Sequence, residues 1–80
     1  MQNTGKPKMS PLAEWVFQNL PGAKIEKYKQ ELGWGDYTWT ARINLTRRWT
    51  KEECEKFSQL AEIPLDSFNE YVPDYMVSEL

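Results

Sequence analysis

The stretch IEKYKQELGWGDYTWTARIN, residues 25–44, reads as two short helices on either side of a glycine turn. In the first, spanning about 24–32, Ile25, Tyr28 and Leu32 recur at the three- and four-residue steps of one apolar stripe. Gly33 stands where a helix ends on a left-handed residue, a conformation nearly free for glycine and costly for other residues. Asp36 then suits the N-cap of a second helix, 36–44, whose buried pair is Trp39 and Ile43. Helix, glycine turn and helix within twenty residues is the outline of a helix-turn-helix, an outline that many αα-hairpins share.

These residues carry a resemblance. Residues 24–68 resemble the lambda-repressor-like (Cro/C1-type, Xre-type) DNA-binding domains, and in particular the small phage and bacterial variants. In those variants the recognition helix ends aromatic-x-x-Arg-aliphatic-Asn, here Trp39, Arg42, Ile43 and Asn44. The other matching pieces are Leu32-Gly33, Trp49-Thr50-Lys51-Glu52-Glu53 and Leu60-Ala61-Glu62-Ile63-Pro64-Leu65. Two positions depart from the family pattern. Lys29 stands where a small residue is usual, and Arg42 fills a slot that is often apolar, with Ile43 taking the apolar role. Either change implies a slightly rotated helix pair or a fold kept for another use.

The resemblance implies a sequence-specific DNA-binding transcriptional regulator that acts on double-stranded DNA, commonly as a homodimer on half-sites about 34 Å apart. With Trp39 and Ile43 inward, the outward residues of the second helix are Gly35 and Asp36 at its tip, then Tyr37, Thr40, Ala41 and Asn44. Base readout is expected from Tyr37, Thr40, Ala41 and Asn44 through edge hydrogen bonds and contacts to thymine methyl groups. Lys24, Arg42, Arg47, Arg48 and Lys51 suit the phosphate backbone, which positions a protein without specifying sequence. Blander roles exist for three of these: Asp36 as a cap, Asn44 as a helix end, and Arg42 as a stem laid over tryptophan.

Charge distribution agrees with that division. The whole chain of 80 residues carries a net charge of −2, which argues against an indiscriminate nucleic-acid binder. Residues 24–51, however, hold seven basic side chains against three acidic, whereas residues 52–80 hold eight acids against Lys56 alone. The basic half coincides with the helix-turn-helix outline.

Eighty residues form one small domain that buries only about 60–65% of its unfolded surface, so a dense core is required. Four Trp, four Tyr and three Phe supply it. No alternating strand pattern persists, and the expected class is all-α, a compact bundle of about five short helices near 10–20, 24–32, 36–44, 50–62 and 64–70. Ser10-Pro11 opens the first, with Leu12, Trp15, Val16 and Leu20 on its core side, and Pro21-Gly22 stops it. Thr50-Lys51-Glu52-Glu53 is a capping box, and Trp49 just before it can staple onto Cys54 or Phe57. The expected core is Leu12, Trp15, Val16, Tyr28, Leu32, Trp39, Ile43, Phe57, Leu60 and Ile63. Residues 1–9 read as a flexible tail, 10–70 as the domain, and 71–80 as an acidic, aromatic tail packing on the domain or on a second copy.

Catalysis has little to work with. The chain has no histidine, and its single cysteine, Cys54, falls on an apolar helix face without a base beside it. No residues have zinc or calcium spacing, Gly33-Trp34-Gly35 lacks the features of a phosphate loop, and neither a cofactor nor a small-molecule substrate is expected. One cysteine and no apolar run long enough for a bilayer fit a cytoplasmic protein. A second reading is a small protein-binding adaptor or inhibitor, for example phage-encoded, built on a helix-turn-helix without DNA. Its contact surface would be an exposed Trp34 with Tyr71, Tyr75 and Met76, and its acidic end would imitate nucleic-acid charge.

Overall fold

The computed structural model describes residues 9–78. Its first helix, α1 (Pro11–Asn19), begins as its opening residues dictate: the Ser10 hydroxyl accepts from the Ala13 N–H at 3.0 Å and proline takes the first position. The same hydroxyl donates to the Ile43 carbonyl at 2.9 Å, so this cap also ties two helices together. Then follow α2 (Gly22–Leu32), α3 (Asp36–Ile43), a short strand β1 (Trp49–Thr50), α4 (Lys51–Ala61) and α5 (Leu65–Phe68). A 3-10 turn (Asp74–Met76) leads into β2 (Val77–Ser78), which pairs parallel to β1 with Trp49 opposite Val77 and Thr50 opposite Ser78. Parallel strands need a long crossover, and α4 with α5 provides it. Among the described residues the protein is an all-α bundle of five short helices with this one small strand pair.

Helix ends account for most of the chain's turns. α2 stops at Gly33 (φ 73°), and the Trp34 and Gly33 N–H groups reach back to the Lys29 and Gln30 carbonyls. α3 and α4 stop the same way without glycine: Leu45 (φ 60°) and Glu62 (φ 59°) both take the left-handed conformation. The capping box of α4 forms in both directions, Thr50 Oγ1 accepting from Glu53 N–H at 3.1 Å and Glu53 Oε1 accepting from Thr50 N–H at 2.9 Å.

The core is a cluster of rings around Phe57, which is fully buried on α4. Trp15, Tyr28, Trp39, Trp49 and Phe68 all lie with ring centroids 5.3–6.3 Å from it. The expected staple is present as an edge-on contact of Trp49 with Phe57 at 5.5 Å. Leu12, Val16, Tyr28, Trp39, Ile43 and Phe57 are buried as expected, while Trp15, Leu32, Leu60 and Ile63 pack against the cluster half-buried. Tyr28 also donates from its hydroxyl to the Leu60 carbonyl at 2.9 Å, and burial raises its pKa.

Several expectations change. Gly22 opens α2 instead of merely ending α1, and Gly35, not Asp36, is the N-cap of α3. α5 is shorter than 64–70, but its turns continue through Tyr71 and Val72, whose N–H groups both reach the Phe68 carbonyl. Val72 is thereby fully buried, and the segment from residue 71 packs on the domain as far as Ser78. The expected N-terminal tail, residues 1–9, lies outside the described residues except for Met9, as do residues 79–80.

Left-handed Glu62 generates a stability prediction. Its side chain is exposed, so replacing it with glycine removes backbone strain and little packing. Glu62→Gly is expected to stabilise the fold by about 0.5–1 kcal/mol, read as a higher urea midpoint at unchanged slope. Leu45→Gly should destabilise, because Leu45 packs its side chain on the core.

Candidate nucleic-acid interface

The surface in question is the outer side of α3. Tyr37, Thr40 and Asn44 are exposed, Tyr37 at 77%, and their spacing of three and four residues stacks them on one stripe. Nothing in the core needs them. Past Asn44 the chain turns through Leu45 and Thr46 and presents Arg47 and Arg48, both exposed and without an ion-pair partner among the described residues. Chemically the stripe offers a phenol, a hydroxyl with its methyl, and a carboxamide, followed by two guanidinium groups.

Ala41, expected on the same face, is 8% exposed and stands apart from the core cluster. The connector covers it: both the N–H and the hydroxyl of Thr46 return to the Ala41 carbonyl, at 2.9 and 3.1 Å. Ala41 is therefore withdrawn from base readout. Arg42 is withdrawn as well. Its guanidinium makes an ion pair with Glu53, its side chain is 15% exposed, and Cζ sits 5.2 Å from the centroid of Trp34. In this structure the guanidinium faces Glu53 and Trp34 and not the outer side of α3.

The remaining cations are dispersed. Lys51, at the start of α4, lines clefts with Glu55, Asp66 and Asp74, an acidic neighbourhood. Lys24, near the start of α2, lines a different cleft with Trp15, Tyr28 and Glu62, beside the last turn of α4. The two lysines thus stand near opposite ends of α4, an eleven-residue helix about 16 Å long, and none of these clefts includes an α3 residue. At the tip of α3, Asp36 pairs with Lys29, which also reaches Glu26 at 3.2 Å. The hydrogen bond from Lys29 holds the Asp36 carboxyl below its usual range, and the same bond raises the lysine. No family model, curated protein or solved structure matches the chain.

The residues proposed for protein contact fare differently from one another. Trp34 is 8% exposed, packed edge-on against Trp49 at 5.2 Å and tilted against Trp39 at 6.1 Å. Its expected exposure is overturned: the ring closes over Trp39 and Trp49, and its N–H finds Glu53 as acceptor. Tyr71 tilts against Trp15 and Phe68 at 6.4 and 6.3 Å, and Met76 is half-buried against the core. Only Tyr75 of that group stays open, at 74% exposure.

Two roles were not visible in the residue pattern. Glu53 was legible as half of a capping box, yet it also accepts from Trp34 Nε1 at 3.3 Å and pairs with Arg42. Lys29 supplies the partner for Asp36 across the glycine turn.

Cys54 is buried on α4, and burial, reinforced by Glu53, Glu55 and Asp74, raises its thiol from an ordinary 9.0 to about 11. Because the folded state holds this proton more tightly, the thiol stays protonated and its contribution to stability is lost only as pH rises from about 9 toward 11. A disulfide reagent at pH 8 is expected to label Cys54 slowly in buffer and rapidly in urea, as measured by thiolate release. Equal rates in the two conditions would contradict the buried placement.

Proposed function

We propose that this chain is a sequence-specific DNA-binding regulator of the phage-repressor type, working on double-stranded DNA in the cytoplasm. The observation that carries the reading is the stripe of Tyr37, Thr40 and Asn44 on α3, exposed, free of core duty, and continued by Arg47 and Arg48. A helix carrying such a stripe fits the major groove, where a carboxamide can pair with adenine and a threonine methyl can meet the thymine methyl. Arg47 and Arg48 supply the phosphate contacts that orient it. The Lys29 ion pair offsets the Asp36 carboxylate, which would otherwise repel the backbone at the helix tip.

With Arg42 occupied, the phosphate grip is smaller than a count of basic residues suggests. Two contacts per chain give a slope of log affinity on log salt of about −1.8, from roughly −0.9 for each phosphate neutralised. A grip this light favours binding as two copies on adjacent half-sites.

The test is a salt series on a duplex selected by the protein from a randomised pool. Replacing Arg47 and Arg48 with alanine should flatten the slope and weaken all sequences alike. Thr40→Ala or Asn44→Ala should relax the preference for the selected site, each lost base contact costing on the order of 1–3 kcal/mol. Absence of duplex binding even at low salt removes the proposal.

A further inference from the structure

Arg42 bears the one guanidinium near α3 that does not face solvent, and its surroundings have a definite construction. Its Nη1 pairs with Glu53 Oε1, the same oxygen that accepts the Thr50 N–H at 2.9 Å. The other Glu53 oxygen, Oε2, accepts from Trp34 Nε1 at 3.3 Å. The Arg42 carbonyl accepts from Trp49 Nε1 at 3.0 Å, and its guanidinium lies over the Trp34 ring. Three segments meet in this cluster: the turn before α3 through Trp34, the last turn of α3 through Arg42, and the first turn of α4 through Glu53.

Such a pair contributes little net stability, because two charges at 15% and 21% exposure have lost much of their hydration. What it does supply is direction. Trp39 and Ile43 anchor the buried face of this eight-residue helix. Ser10 and Trp49 donate to the carbonyls of Ile43 and Arg42, and Lys29 pairs with Asp36 at its start. The Arg42–Glu53 pair is a further tie against roll of the helix about its axis. A planar guanidinium held by a carboxylate and stacked on an indole resists that roll. The Tyr37, Thr40 and Asn44 stripe is useful for reading bases only if its orientation is kept to a fraction of an ångström.

We infer that Arg42 and Glu53 are positioning residues for the α3 stripe, setting which bases it reads without touching DNA; this rests on the function proposed above. The competing role is a phosphate contact by Arg42, released from Glu53 when DNA arrives. The two roles differ in sign for Glu53→Gln. Glutamine keeps one acceptor oxygen, which can stay on the Thr50 N–H as the capping box requires. Its NH2 then faces Trp34 Nε1 and cannot accept from it, and the loss of charge loosens Arg42.

The experiment uses the full chain, the selected duplex and a duplex with one mismatched base pair, below the melting point of every variant as checked by thermal unfolding. Positioning predicts that Arg42→Met and Glu53→Gln each reduce the preference for the selected duplex about tenfold, while the salt slope keeps its wild-type value. A purely structural loss would lower the melting point and leave that preference intact, which overturns the inference. It is overturned equally if Arg42→Met flattens the slope by about 0.9 and Glu53→Gln tightens binding to both duplexes, since Arg42 is then a phosphate contact. A wild-type protein that binds neither duplex removes the function itself, and the inference with it, a result distinct from either of these.

Discussion

Everything in this small domain answers to the burial of three tryptophans around one phenylalanine. Phe57 is fully buried, and Trp49, Trp39 and Trp34 are at or below 9% exposure, packed against it or against one another. A chain of 80 residues has too little interior for a large aliphatic core, so rings with their large buried areas do that work. An indole brings an N–H inward with it, however, and a buried donor must find an acceptor. Trp34 finds Glu53, and Trp49 finds the carbonyl of Arg42.

The polar arrangement at the α3–α4 junction follows from that requirement. Once Glu53 is drawn under Trp34 by its hydrogen bond, its charge needs a counterpart, and Arg42 is the cation within reach. Arg42 is thus committed to the interior edge by the needs of the aromatic core. The surface of α3 is left polar but nearly neutral, since Lys29 cancels Asp36 at the other end. A surface of this kind can discriminate through hydrogen-bond geometry and methyl contacts, with Arg47 and Arg48 as its only nearby unpaired cations among the described residues.

The C-terminal segment shows the same economy of burial. Val72 is fully buried, Tyr71 rests on Trp15 and Phe68, and β2 lies parallel to β1 beside Trp49. The apolar residues that made this segment a candidate contact surface are mostly spent on closing the protein's own core, with Tyr75 the exception.

What the sequence determined by itself is local. Ser10-Pro11, Gly33 and the Thr50–Glu53 box act through bonds within a few residues, so the five helices were legible to within about two residues at most ends. The exposure of Tyr37, Thr40 and Asn44 was legible too, because helical periodicity sets it once Trp39 and Ile43 are inward. The tertiary structure alone decided the fate of Ala41, Arg42 and Trp34. Ala41 is covered by a connector whose path depends on a left-handed leucine, and no residue pattern marks leucine for that conformation. Arg42 and Trp34 face inward toward Glu53, eleven and nineteen residues away, which accepts from both. Parallel pairing of residues 49–50 with 77–78 spans the whole of α4 and α5 and leaves no periodic trace in two residues on each side. Contacts between segments far apart in the chain choose among side chains that periodicity treats alike.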